Sequence, residues 1–389
     1  MDDLILEDYD VYLVENPWKA YVFVELHTNQ GHTGLAEATA WGKPQTVATA
    51  VEELSDHFLG MNPFNTEALS LEIYRDEWYS DNIVNTTVAA AVDTACWDIK
   101  GKVLNRPVYE LLGGSVHGDR IPIYTNGWYI DADGDPEALA DAAISVVENG
   151  YDAMKFDPFG DAWHRLRNRD KEAAIERVAA VREAVGSDVD LLIEGHGRFT
   201  PAVAVDIARR LEPFNPYCFE EPTPPDNIHG LRKVSQQSPV PIASGERLMS
   251  VFAFDELLSE TEVDIVQPDL ANAGGLTEAK KIAALAEAKH VDFAPHNPQG
   301  PVGTALSAQV SATLPNLAMQ ESVDDYDTPW RDEILRDPLV IEDGYLKLPD
   351  RPGIGVELNH DVVKEKAYDK AVSHSVNLFE HKWEDTVYD

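Results

Sequence analysis

The chain has 389 residues, 44% of them hydrophobic, and its 31 Lys and Arg against 69 Asp and Glu leave a net charge of −38. That length exceeds the roughly 100–200 residues of one domain and predicts two domains, or one barrel with an addition. The ordinary apolar fraction excludes wholesale disorder, and so negative a chain is hostile to phosphate backbones and anionic bilayers, which excludes nucleic-acid and membrane-surface roles.

No run reaches the ~18 apolar residues of a membrane span. The start, MDDLILEDYD, lacks the basic and apolar regions of a secretion signal, so a cytoplasmic protein is expected. Cys96 and Cys218 sit in apolar company (ACW and YCF) and read as two buried thiols; their number excludes a disulfide framework or a cysteine metal cage. The acidity is spread along the chain rather than gathered in a tail. It is either a cation-binding surface or a solvated surface suited to high salt, where screening removes self-repulsion. Diffuse spacing favours the second and predicts a salt-loving source.

In chain order, residues 1–120 are mixed. AYVFVEL (20–26) alternates like a strand, a turn falls at Gly31–Gly34, and helical patterning covers Thr46 to Leu59. A second helix is predicted over 88–104, with Gly101 near its end. Neither this part nor the segment after about Gly344 carries a motif with obvious chemistry. From Ile121 to about Val340, short apolar runs recur: IPIYT (121–125), AMKFD (153–157), DLLIE (190–194), YCFE (217–220), PIASGE (241–246), DIVQPD (264–269), VDFAPH (291–296) and LAMQE (317–321). Amphipathic stretches separate most of them, most cleanly at 136–150, 171–186 and 277–290. Strand–helix alternation at this period demands parallel strands, and eight of them with no Gly-rich phosphate loop after any strand predict a closed α/β barrel rather than an open sheet.

Reacting groups of a parallel barrel lie at the carboxyl ends of its strands. Those ends hold Lys155 and Asp157; Glu194, then His196 and Arg198; Glu220–Glu221; Glu246–Arg247; Asp269; His296–Asn297; and Glu321. So many charges round one mouth are costly unless a metal and a charged substrate compensate. Glu194, Glu220 and Glu246 end consecutive strands at intervals of 26 residues and are expected to converge. Three carboxylates without thiolates suit a hard divalent cation, Mg²⁺; ion pairing with Lys155, Arg198 or Arg247 is the alternative. His296 adjoins Asp269, the next strand's end, which would orient its imidazole and favour its protonated form. His196 approaches from the opposite side, so the two histidines read as a base and an acid; no H-x-x-x-H zinc spacing occurs.

KFD (155–157), IEGHGRFTP (193–201), FEEP (219–222), SGERL (244–248), QPDLANAGGLTEAKKIA (267–283), APHNPQGP (294–301) and QES (320–322) resemble the mandelate racemase subgroup of the enolase superfamily. TACWDIKGKVLNRPVYELLGG (94–114) is similar to that family's link from capping domain to barrel. The resemblance implies a modified TIM barrel of (β/α)7β type over 121–343, with an α+β capping domain formed by 1–120 and the returning segment 344–389. It implies Glu194, Glu220 and Glu246 as ligands of one Mg²⁺, a His296–Asp269 dyad, Lys155 as the first lysine of the racemases' K-x-K pair, and Glu321 as the group that hydrogen-bonds a substrate carboxylate oxygen. Asp157 replaces the second lysine of that pair, which leaves His196 as the proton carrier on that face, and Glu194 stands where many relatives have aspartate.

A histidine two residues after the first ligand, followed by Gly-Arg, is similar to the sugar-acid dehydratases of galactonate, gluconate or mannonate. Such sites stabilise an enediolate beside Mg²⁺, and a second histidine protonates the departing 3-hydroxyl, giving a 2-keto-3-deoxy acid. His296 is assigned as base and His196 as acid, the reverse also being open. Arg198 either contacts substrate or pairs with a carboxylate. Asp157, Asn297 and Trp18, in the early loop VENPWKA (14–20), are the other candidate substrate contacts. An epimerase or lactone cycloisomerase using the same enediolate, and a barrel kept as a binding protein, are the competing readings. A small-molecule sugar acid is the expected partner, and family analogy suggests a dimer or octamer.

Overall fold

The computed structural model describes residues 3–75, 82–164, 166–323 and 326–370. The chain begins as an antiparallel meander, β1 (Leu6–Val14), β2 (Tyr21–Thr28) and β3 (Thr33–Glu37), paired in that order. The pleat sends alternate β2 side chains to opposite faces. Tyr21 and Phe23 join the core shared with the barrel, while Val22, Val24 and Leu26 join the core of the cap. Helices α1 (Pro44–Glu53), α2 (Thr66–Arg75) and α3 (Ile83–Leu104) complete this layer. The helix expected over Thr46–Leu59 ends at Leu54 and continues only as a 3₁₀ turn, Ser55–His57.

The long helix starts earlier than its apolar pattern suggests, because Asn82 caps it by accepting from the N–H groups of Val84 and Asn85 at 3.1 Å. It is buried on nearly all sides. A Cβ on Gly34 would overlap the Ala95 carbonyl, so glycine lets β3 lie directly on α3. A short helix, α4 (Val108–Leu111), leads into the barrel.

Eight parallel strands follow: β4 (Arg120–Thr125), β5 (Ala153–Phe156), β6 (Asp190–Glu194), β7 (Cys218–Glu220), β8 (Ile242–Ser244), β9 (Ile265–Val266), β10 (Asp292–Phe293) and β11 (Gln320–Ser322). The first seven are each followed by a helix: α5 (Pro136–Glu148), α6 (Asn168–Val185), α7 (Pro201–Leu211), α8 (Ile228–Ser235), α9 (Val251–Glu260), α10 (Gly275–Ala288) and α11 (Pro301–Ser311). β11 pairs with β4, and the Phe293–Leu317 bridge closes the ring. This is the (β/α)7β barrel. Its interior is filled by one layer, Tyr124, Ala153, Leu192, Cys218, Ala243, Ile265, Ala294 and Met319. Cys96 and Cys218 are both buried and free.

Past β11 the chain forms a hairpin, β12 (Ile341–Glu342) and β13 (Tyr345–Lys347), whose second strand runs antiparallel to the first half of β4. The segment after Gly344 therefore serves the barrel first and reaches the cap only afterwards. Ile354 N–H donates to Asp98 at 2.8 Å, and α12 (His360–Glu365) leads into backbone bonds between Lys366 or Tyr368 and β1. Asp98 also accepts from Leu35 N–H at 2.8 Å and Lys102 at 2.6 Å, so one buried carboxylate ties strand, helix and tail together. Residues 371–389 of the expected returning segment lie outside the described residues.

Candidate active site

The period of two along each strand builds the site. Two residues beyond the interior layer, the same inward face presents Asn126, Lys155, Glu194, Glu220, Gln267, His296 and Glu321. After Ala243 the chain turns at Gly245, with φ +137°, where a Cβ would meet the Phe254 ring, and Glu246 is the next side chain at the mouth. Charge thus replaces apolar bulk on crossing from the middle of the barrel to its carboxyl end.

Glu194, Glu220 and Glu246 do converge: one oxygen from each lies within 4.8 Å of the others. Lys155 is buried beside them, 2.8 Å from Glu220, 3.0 Å from Glu321 and 3.4 Å from Glu194. Gln267 donates to the other Glu220 oxygen at 2.7 Å. Burial and the Glu194 charge push the Glu220 carboxyl up to about 8. At Glu194 the burial is outweighed by His196 and Lys155, which hold it below the usual range. Glu194 Oε2 is buried yet accepts no hydrogen bond among the described residues. A buried carboxylate oxygen without a donor, in an all-oxygen set with one lysine shared among several acids, is the chemistry that a hard divalent cation completes.

Two histidine–aspartate pairs flank this cluster. His296 Nδ1 lies 2.9 Å from Asp269, and its Nε2 lies 3.3 Å from Glu246. Gln299 donates to the same Asp269 oxygen at 2.6 Å. His296 loses charge stability to burial but gains more from Glu246, Glu321 and Asp269, so its pKa rises to about 10. His196 Nδ1 lies 2.7 Å from Asp157, and its own N–H donates to Glu194 at 2.5 Å. His196 holds a left-handed φ of +47°, as does Glu221 opposite at +38°, whose carbonyl accepts from Gly197 N–H at 2.7 Å. The turn bearing His196 is therefore pinned from the neighbouring strand end. The histidines follow the third and seventh strands of eight, so topology places them on opposite sides of the mouth.

Three of the strand-end residues spend their hydrogen bonds on the protein itself, and for Arg198 the carboxylate-pairing alternative is the one seen. Arg198 is fully buried: it pairs with Asp157 and donates to the carbonyls of Gly195 at 3.0 Å and Gly160 at 2.6 Å. It anchors Asp157, which in turn orients His196, and does not line the cavity. Asn297 turns inward, donating to Thr304 Oγ1 at 3.0 Å and to the Glu321 carbonyl at 3.1 Å, so it supports the eighth strand instead of meeting substrate. Glu321 accepts from Asn126 Nδ2 and Asn297 N–H, each at 2.8 Å, and Lys155 and His296 outweigh its burial to bring its pKa to about 2. Through these contacts it holds Lys155 and Asn126 in place.

The mouth opens into a cavity of about 640 Å³ lined from both halves of the chain. The barrel contributes Asp157, His196, Glu246, Asp269 and His296, and the cap contributes Trp18, Lys19, Trp41 and Lys43. Trp18 is there as expected. Lys19, Trp41, Asn126, Tyr129 and Asp327 were not anticipated. The available signal was Lys19 itself, a cation adjacent to Trp18 in a chain with few cations.

Residues 15–113 match the mandelate racemase/muconate lactonizing enzyme N-terminal domain, and 138–362 match the enolase C-terminal domain-like family. The chain belongs to the mandelate racemase/muconate lactonizing enzyme family. Within this family it is 42% identical to the D-gluconate dehydratase of Thermoproteus tenax, over 90% of this chain and 70% of the relative. It is 36% identical to the D-gluconate/D-galactonate dehydratase of Picrophilus torridus, over 91% of this chain and 90% of the relative. The mandelate racemase/muconate lactonizing enzyme structure from Jannaschia sp. CCS1 superposes with a TM-score of 0.89 at 34% identity, covering 94% of this chain and 98% of that one. The chain is a family enzyme of the lyase class, a hydro-lyase. No helix among the described residues is long and apolar enough to cross a membrane.

Proposed function

We propose that this enzyme is a Mg²⁺-dependent dehydratase that converts an aldonic acid, of the gluconate or galactonate kind, to its 2-keto-3-deoxy acid. The observation that carries this reading is the pair of histidine–aspartate dyads opening on one cavity from opposite sides of a carboxylate cluster. Dehydration needs one group to take the proton α to the carboxylate and another to protonate the leaving hydroxyl. The names of the relatives, gluconate and galactonate dehydratases, support the substrate class.

Glu194, Glu220 and Glu246 would hold the cation. A bound Mg²⁺ would supply positive charge that offsets these carboxylates, Glu246 beside His296 among them, and would act as a Lewis acid toward the substrate carboxylate. His296, oriented through Nδ1 by Asp269, takes the α-proton on Nε2. Lys155, poised by Glu321, meets the negative charge that builds on the carboxylate oxygens as the enediolate forms. His196, oriented by Asp157, gives a proton to the 3-hydroxyl, which leaves as water, and the resulting enol tautomerises to the ketone. The high negative charge suits a cytoplasm rich in salt, and family analogy supports a homo-oligomer.

Incubation with sugar acids in D₂O, Mg²⁺ and molar KCl tests the reading. Dehydration gives a keto acid that reacts with semicarbazide; deuterated substrate without keto product would instead establish epimerisation. His296→Asn is expected to abolish keto-acid formation, and full retention with every acid tried would overturn its assignment as base.

A further inference from the structure

The turn that carries His196 is built jointly by the ends of β6, β7 and β8. His196 and Glu221 hold left-handed φ values of +47° and +38°, which residues with side chains keep only where their surroundings impose it. Two backbone bonds join the turns: Gly195 N–H donates to the Glu220 carbonyl at 2.9 Å and Gly197 N–H to the Glu221 carbonyl at 2.7 Å. A Cβ on Gly195 would fall 2.7 Å from the Glu221 carbonyl oxygen, so glycine lets the two backbones meet.

Arg247, one residue past Glu246, reaches this junction from β8. Its Nη2 donates to Glu221 Oε2, and a Cβ on Gly197 would fall 2.7 Å from the same nitrogen, so the guanidinium lies against the turn itself. Glu221 is 1% exposed, and its other oxygen accepts no hydrogen bond among the described residues. Loss of the arginine would leave that buried carboxylate uncompensated beside the His196 turn. Arg247 lines the cavity, but Nε also lies 3.4 Å from Glu246, so protein carboxylates meet its charge on two sides.

We infer that Arg247 is a positioning residue for the acid step: through Glu221 it holds the turn that presents His196 to the departing hydroxyl. The inference rests on the proposed dehydration with His196 as acid. The loss on removing Arg247 should then fall on one half of the reaction. The α-proton goes to His296, which Asp269 orients, and Asp269 is held by Gln299 rather than by Arg247. A displaced His196 leaves that step intact and slows departure of the 3-hydroxyl, so the enediolate returns to substrate more often.

The test uses gluconate or galactonate and the analogue with fluorine in place of the 3-hydroxyl, at saturating Mg²⁺ in molar KCl. On the analogue the α-proton goes to the base, the C3–F bond breaks with its electron pair, and fluoride leaves without needing a proton, giving the same enol. Arg247→Met is expected to lower kcat on the hexonate about ten- to a hundredfold, with KM and the rate on the analogue each changed by no more than about threefold. Where wild type does not turn over the analogue, the deuterium gained at C2 of unreacted hexonate per keto acid formed in D₂O serves instead, and it is expected to rise. Arg247→Lys, which keeps the charge, is expected to recover part of the hexonate rate. Arg247→Met combined with Glu221→Gln strands no charge, which guards against misfolding, and is expected to show the same selective loss. An unchanged hexonate rate, an equal fall on both substrates, an unchanged deuterium ratio, a loss carried by KM, a loss reversed by further Mg²⁺, or a double variant with the wild-type rate would each overturn the assignment. Failure of wild type to dehydrate any aldonate would instead remove the activity on which it rests.

Discussion

Lys155 is the centre of the site's charge balance, and Lys155→Met probes it. The ammonium is 2% exposed and lies within 3.4 Å of Glu194, Glu220 and Glu321. Those three partners raise its pKa well above the usual lysine value despite burial. Removing one member of a buried ion cluster strands the others, at a typical cost of about 3–5 kcal/mol. Methionine fills most of the volume, so the loss is electrostatic rather than a cavity. A bound divalent cation compensates Glu194 and Glu220 but leaves Glu321 dependent on Asn126 and the Asn297 N–H. The destabilisation should therefore depend on metal: largest in EDTA, where it corresponds to a fall in Tm of order 5–10 °C, and reduced at saturating Mg²⁺. Paired thermal melts of wild type and variant in molar KCl, with EDTA or Mg²⁺, measure the difference. Activity should fall at least about a hundredfold even with Mg²⁺ saturating, because the donor facing the developing carboxylate charge is gone. An identical Tm loss with and without metal would show that cation and lysine do not share the same carboxylates. A variant more stable than wild type in EDTA would show that the lysine is not needed to hold them.

Other outcomes follow from particular groups. Asp93 on α3 accepts from Thr277 N–H at 2.9 Å, and burial pushes its carboxyl up to about 6. The native state then binds this proton more tightly than the unfolded chain, so ionisation costs stability: nothing below pH ~3.8, growing through the interval to pH ~6 and reaching about 3 kcal/mol above it. Melts from pH 5 to 8 should show the stability advantage of wild type over Asp93→Asn shrinking as pH rises; a constant or widening gap contradicts the assignment. The net charge of −38 predicts that Tm climbs with KCl from 0.1 M towards 2 M, as the screening length falls from about 10 Å to under 3 Å, and a flat or falling Tm would remove the high-salt reading.

The barrel was legible because parallel strands and their crossovers impose a period, and because Glu194, Glu220 and Glu246 each stand two or three residues past an interior Leu192, Cys218 or Ala243. Strand position alone says that a side chain reaches the mouth. It does not say whether its donors are free once there. Arg198 and Asn297 both sit at strand ends, yet carbonyls and a hydroxyl, most of them from neighbouring elements, take up their hydrogen bonds. Glu321 was placed correctly, but its charge state depends on Lys155 and His296, which come from strands far apart in sequence. The start of α3 escaped the apolar pattern because its first turn is polar and its cap is a single asparagine.

Beyond Trp18, the cap's part in the cavity was illegible for a different reason. Its contribution to the cavity comes from loops, and loops carry no period from which a direction can be read. Lys19 finds its carboxylate partner only when Asp327, more than three hundred residues later, arrives beside it on the segment after the eighth strand. The strand ends are held in a mutually hydrogen-bonded ring, whereas the cap reaches the same cavity through side chains on loops. Asp157 and Asp269 each hold one of the two histidines, so substitutions at either should lower turnover for every acid alike, as measured by kcat on gluconate and erythronate side by side. An aspartate variant that instead changed the preference between the two acids would mean that orienting the histidines and selecting substrate are not separated in this fold.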